Sequence, residues 1–269
     1  MGRPPLEALP QRLAACLQAP SPAEKAACVH ALRADWRSGR IDPAIEAPRS
    51  AIDRPGQPEK PGLIPPQRVP RRRADTLAGR AALVHALAHI EFNAINLALD
   101  AAHRFPGMPQ AYYADWLSIA DEEALHFELL NAHLATLGFA YGDFSAHNGL
   151  WEMALKTAHD PLVRMALVPR VMEARGLDAT PLIVDKLKAA NDTRMIEILA
   201  LIERDEIGHV ATGSRWFRWL CAARGLEPEA TFRQMLLDYD APSLKPPFNL
   251  EARRKAGFSE PELDWLSRL

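Results

Sequence analysis

The chain is short of cysteine, of aromatic residues and of any surplus of charge. Its three cysteines, Cys16, Cys28 and Cys221, show no Cys-x-x-Cys spacing. That scarcity excludes a cysteine zinc site and a disulfide framework and fits a reducing compartment, so a cytoplasmic location is expected. A formal net charge of −2 supplies no broad basic field, which weighs against nucleic acid as a partner. Arg71-Arg72-Arg73 and Arg253-Arg254-Lys255 are the two local basic patches; the first reads most simply as a solvated helix start. No window reaches the ~18 apolar residues of a membrane span. The N-terminus, MGRPPLEALPQRLAA, has no basic segment followed by a continuous apolar stretch, so neither export nor membrane insertion is expected. No repeat at solenoid periods exists.

Proline and helix-forming residues are plentiful instead. With 269 residues and 48% hydrophobic content, one main domain with appendages is expected. Residues 1–38 carry two short helical patterns, the second opened by Ser21-Pro-Ala-Glu24, a capping box with proline at the first helical position. Prolines at 43, 48, 55, 58, 61, 65, 66 and 70 then interrupt the chain, so no regular helix or central strand can run through residues 39–72. This first region, residues 1–72, is a helical preface with an extended arm, either wrapped on the domain or loose.

Residues 73–225 change texture. Four long apolar-periodic segments, near residues 74–104, 109–137, 160–190 and 192–224, are rich in Ala, Leu, Ile and Glu and predict an all-α fold. The first connection, Phe105-Pro-Gly-Met-Pro109, and the third, Ala190-Asn-Asp-Thr193, are tight, with Asn191 or Asp192 available as a cap; short links make antiparallel neighbours. The middle connection, residues 138–159, is far longer and holds a helical turn around residues 151–156. Two tight hairpins joined by a long crossover is the ferritin-like four-helix topology. Residues 226–269 form a third region, with a helix near 228–239, a proline-rich tail from Ala241 and a short helix opened by Ser259-Glu-Pro-Glu262.

Charge inside the greasy segments needs an explanation. IADEEALHFELL (119–130) places Glu123 and His126 at i and i+3, on one helix face. ERDEIGHV (203–210) repeats the spacing with Glu206 and His209. The helix ahead of each pair carries one glutamate among apolar neighbours: Glu91 in AHIEFNAINLAL and Glu173 in VPRVMEARG. Glu91 precedes Glu123 by 32 residues and Glu173 precedes Glu206 by 33, so antiparallel hairpins bring each single acid level with its pair. Helical phase sets Glu91 on the face of Val84, Leu87, Ala88, Ala94, Ile95 and Ala98. Burying one such charge costs several kcal/mol and four converging acids would be prohibitive without cations. Two divalent metal ions meet that need, and four carboxylates with two imidazoles suit a di-iron or di-manganese centre.

On Glu91, Glu123, His126, Glu173, Glu206 and His209 the chain resembles the ferritin-like di-iron carboxylate superfamily, over about residues 74–224. RPGQPEKP (54–61), GRAALVHALAHIEFNAINLALDAAHRF (79–105) and EARGLDATP (173–181) look like an uncharacterised ferritin-like family named only as a domain of unknown function. The superfamily resemblance further implies that the acid before each Glu-x-x-His glutamate, here Glu122 and Asp205, takes the imidazole proton of the opposite pair and fixes its tautomer. Glu203, one turn from Glu206, is either an extra ligand or a salt-bridge residue. Arg170, one turn before Glu173, either holds a substrate anion or pairs with an acid. His85 and His89 lie about 120° and 160° around the helix from Glu91 and fail as ligands. Trp216 and Trp219 read as packing residues; Tyr112 and Tyr113 carry no argument for a radical role. Pro169 and Gly176 flank Glu173 and predict a distorted helix there.

The resemblance implies an O2-dependent oxidase or hydroxylase in which two iron ions, or manganese, serve as cofactor. An organic small molecule or a modified nucleoside is then the substrate, an electron donor is required, and a homodimer is open. The alternative is a ferroxidase or iron-handling protein. Arms of about 70 residues before the bundle and about 45 after it argue against a symmetric iron-storage shell and for a covered pocket.

Overall fold

A computed structural model describes residues 6–70, 72–239 and 244–269. Arg71 and the start of the proline-rich tail, residues 240–243, lie outside the described residues. The chain is mostly helical and divides into two compact units, residues 1–155 and 156–269.

In the first unit, α1 (Leu9–Gln18) and α2 (Pro22–Arg37) form a hairpin, and α3 (Leu77–Arg104) and α4 (Gln110–Thr136) form a longer one. α5 (Gly149–Lys156) closes the unit. Helix α1 turns Leu9, Leu13, Cys16 and Leu17 inward at i, i+4, i+7 and i+8 spacing, and each buried leucine contributes about 1.5–3 kcal/mol. Ser21 Oγ accepts the Glu24 N–H at 3.2 Å and starts α2. Tyr112 on α4 donates its hydroxyl to Ala101 C=O and Tyr113 to Phe105 C=O, locking the tight turn. Position 112 lies beside 101 while position 126 lies beside 91, so α3 and α4 are antiparallel.

The hairpin α1–α2 corrects one expectation. Cys16 and Cys28 are joined by a disulfide, with Cα atoms 5.3 Å apart; Cys221 is free and buried. The two cysteines stand 12 residues apart in sequence and meet only because α2 folds back along α1, which spacing rules for metal sites do not register. Beside them the Lys25 amine donates to Cys16 C=O and Leu17 C=O at 3.1 and 2.7 Å, and burial pushes its pKa down to about 7.

The proline-rich arm is wrapped on its unit. Gly56 N–H donates to Leu17 C=O, and a Cβ at Gly56 would lie 2.1 Å from the Gln18 carbonyl oxygen, so only glycine fits there. Arg49 reaches His103 C=O at 2.9 Å, Trp151 donates its indole N–H to Asp53 C=O at 2.9 Å, and Leu63 bridges Ala146 in parallel. A two-residue parallel pair, β1 (Glu7–Ala8) with β2 (Ile41–Asp42), was not foreseen in an all-α reading. Helix α3 is largely buried. One of its 18-residue windows is apolar enough to cross a membrane by composition, with mean hydropathy 1.3, yet 67% of that window is buried inside the protein.

The second unit contains α6 (Pro161–Leu167), a π-helical segment Val168–Glu173, α7 (Ala174–Ala189), α8 (Thr193–Ala223), α9 (Pro228–Asp238), α10 (Leu250–Lys255) and α11 (Glu260–Leu266). The predicted helix at 160–190 is thus one rod with a widened turn at the proline. Pro169 has no N–H and its ring crowds the carbonyl four residues back; the wider turn relieves this, with Ala174 N–H donating to Pro169 C=O five residues earlier. Asp192, rather than Asn191, caps α8 by accepting the Met195 N–H at 3.1 Å. Arg224 at the end of α8 pairs with Asp160 at the start of α6, and Pro169 packs on Gly213, so the rod and α8 are antiparallel.

Helix α10, unforeseen within the proline-rich tail, seats on α7. Pro181 inside α7 frees the Leu177 carbonyl, which accepts from Asn249 Nδ2 at 3.4 Å. Arg253 is fully buried and pairs with Asp178 at 2.6 Å, while Arg254 pairs with Glu260 and Lys255 with Glu251. The Arg253-Arg254-Lys255 stretch is therefore neutralised by its own fold and does not form a free basic patch.

Candidate metal centre

Helices α3 and α4 carry the first cluster. On α3, Glu91 shares its face with Val84, Ala88, Ala94, Ile95 and Ala98, all buried, so its carboxylate enters the core and is only 3% exposed. On α4, Glu123 and His126 are both 0% exposed. The His126 Nδ1 stands 3.4 Å from Glu91 Oε2 and 3.4 Å from Glu123 Oε2. Each of the three residues offers one ligand atom, and these atoms lie within 4.8 Å of one another.

That geometry fits a metal ion. Donors about 2.1 Å from a shared tetrahedral ion are about 3.4 Å apart along the tetrahedron's edge. Carboxylate oxygen and imidazole nitrogen together are the donor set of first-row divalent metals. Electrostatics points the same way. Burial alone would lower the His126 pKa, but hydrogen bonds and charge from Glu123 and Glu91 outweigh it and push the value up to about 11. The cluster thus favours positive charge, which a metal ion would supply on displacing the imidazole proton.

The second unit repeats the pattern more loosely. On α8, His209 is 1% exposed and its Nδ1 stands 3.9 Å from Glu206 Oε1, with Glu206 half-buried. Glu173 ends the π segment and is half-buried. The structure therefore groups Glu91 with Glu123 and His126, and Glu206 with His209, and leaves Glu173 on the widened turn packed along α8.

Neighbouring candidates resolve individually. Glu122 and Glu203 are half-buried. Asp205 is half-buried and pairs with its neighbour Arg204 at 2.8 Å. Arg170 takes the pairing role: it is fully buried, donates from Nη2 to Glu262 Oε1, and its guanidinium faces Phe217, Phe232 and Phe258 at 4.7, 4.3 and 4.8 Å. His85 and His89 point away from the cluster and hold the crossover. His85 Nε2 accepts the Gly142 N–H at 2.9 Å, and His89 bonds the Tyr141 hydroxyl at 2.8 Å and His147 C=O at 3.0 Å. Trp216 is buried, whereas Trp219 leaves 42% of its surface exposed.

A family described as "Protein of unknown function (DUF455)" matches residues 18–264. The chain belongs to this family. Within the DUF455 match lie all six acids and histidines singled out above. An uncharacterized protein of Haemophilus influenzae is 52% identical over 216 residues, covering 78% of this chain and 75% of that protein. No solved structure matches the chain.

Proposed function

We propose that this DUF455 chain is a ferritin-like dinuclear metal protein, in which Glu91, Glu123 and His126 form one half-site and Glu173, Glu206 and His209 the other. In this reading α3, α4, the rod from α6 to α7, and α8 form the four-helix bundle. The observation that carries it is the buried Nδ1 of His126, 3.4 Å from each of two buried carboxylates. The matched spacing of the second unit's acids and histidine supports a twofold repeat of that arrangement. Iron is the first assignment, and manganese suits the same donors.

When bound, the metal pair would supply O2-dependent oxidation of an organic substrate. The chain's own residues hold and tune it. Glu91 and Glu173 would carry the negative charge that neutralises the ions. Glu122 and Asp205 would accept the imidazole protons of His209 and His126 and keep the Nδ1 atoms facing inward. Burial of α3 and α4 excludes water from one side, strengthening each charge interaction.

Metal analysis after anaerobic ferrous loading tests the reading. About two ions per chain are expected for the wild type, with loss of binding in Glu123→Ala and Glu206→Ala. A wild type that holds no ion, or an alanine variant that still holds two, defeats it. Light scattering separates the iron-storage alternative, which requires a shell of a dozen or more subunits.

A further inference from the structure

The widest departure from regular helix in the second unit sits next to a proposed metal ligand, and an unusual set of buried groups holds it. Three residues before Glu173, the Arg170 guanidinium is 1% exposed, bonded to Glu262 and enclosed by Phe217 of α8, Phe232 of α9 and Phe258 ahead of α11. Glu262 is itself fixed: its Oε2 accepts the Ser259 N–H at 2.8 Å, and Ser259 Oγ accepts the Glu262 N–H, closing the capping box of α11. The carboxylate that grips Arg170 cannot swing away without uncapping the helix. One residue earlier, Pro169 lies against Gly213, where a Cβ would stand 2.3 Å from two ring carbons.

A buried ion pair is a poor device for stability alone, because apolar residues of the same volume do as well or better. What it provides is a directional, single-valued anchor, since a planar guanidinium between aromatic faces and one carboxylate has one good pose. Glu173 ends the π segment one turn beyond that anchor. π turns have poorer hydrogen bonding than α turns and are rarely stable without outside support.

Resting on the dinuclear reading above, we propose that Arg170 and Glu262 are positioning residues for Glu173: the C-terminal helix, through this ion pair, sets the widened turn and so the place of that ligand. Neither residue touches the metal ions or substrate in this assignment.

The test is an equilibrium Mn(II) titration of the full chain, read by ion stoichiometry and by the electron paramagnetic resonance of the coupled pair, beside a thermal melt. Wild type is expected to bind two ions with a coupled spectrum. Glu262→Gln and Arg170→Met are expected to weaken one ion by roughly 10–100-fold, the range seen when groups behind a ligand are removed. The other ion keeps its affinity, and the spectrum becomes that of an isolated ion. Arg170→Lys, which retains charge inside the cage, gives an intermediate loss and serves if Arg170→Met does not fold. Two ions with wild-type affinity and spectrum in these variants overturn the proposal however far the melt shifts, as does an equal weakening of both ions. A wild type that binds no ion defeats the dinuclear reading and takes this proposal with it.

Discussion

The two Glu-x-x-His helices have the same spacing but unequal surroundings. On α4, Glu123 and His126 are both fully buried and their polar atoms stand 3.4 Å apart; on α8, Glu206 is half-buried and stands 3.9 Å from His209. Their partners differ more. Glu91 sits in the middle of an unbroken 28-residue helix, whereas Glu173 closes a six-residue π segment. One acid is held by regular backbone with apolar residues along its own helix face; the other is held by a proline notch and a remote ion pair. Equal sequence motifs therefore give one stiff arrangement and one that can be adjusted.

The largest effect that tests this contrast is on metal affinity. Glu91→Ala is expected to weaken ion binding by more than ~100-fold, and Glu173→Ala by roughly 100-fold, no less than the loss of Arg170 or Glu262 behind it, because a π turn can shift to bring another donor or water into place. Isothermal titration gives both values, and a larger loss for Glu173→Ala would reverse the assignment of stiff and adjustable halves.

Next in size is Gly213→Ala. Its Cβ would strike the Pro169 ring, which cannot rotate aside, so the π segment must move at a cost of about 1–3 kcal/mol. A drop in melting temperature of several degrees is expected, with faster hydrogen exchange around residues 168–174. An unchanged melt would show that the notch is slack.

A smaller effect comes from acid. His85 accepts the Gly142 N–H and so must be neutral, and burial, helped by the nearby His89, lowers its pKa to about 4. Above the unfolded value near 6.5 both states are neutral and nothing is lost. As pH falls from about 6.5 to 4 the unfolded chain takes up the proton first, so stability drops, by at most about 3 kcal/mol. Urea unfolding at pH 7 and pH 5 checks this, and His85→Gln should flatten the difference. The smallest expectation is for Glu203→Gln, half-buried one turn from Glu206: its ion stoichiometry should match the wild type, and loss of an ion would add Glu203 to the ligands.

Much of the helical frame was legible because its signals are local. Ser21, Asp192 and Ser259 announce helix starts through side chains that reach three residues ahead, and the phase of Glu91 among small apolar residues reveals its burial. Pro169 flagged the distorted turn but not its kind, since the room its ring takes up is left by Gly213, 44 positions later. The Arg170–Glu262 pair joins residues 92 apart; the arginine suggested an anion, and nothing near it named the partner. Helix α10 hid among prolines because what secures it, the freed Leu177 carbonyl and Asp178, belongs to α7. The Cys16–Cys28 bond needed the hairpin to exist first.

The wrapped arm has a consequence for how the protein is made. Arg49, Asp53 and Leu63 find their partners at His103, Trp151 and Ala146, none of which has left the ribosome when the arm does. Bonds across such separations form late. Its prolines suit that wait: they keep the emerging strap from coiling into a premature helix, so it stays extended until the scaffold it belts is complete.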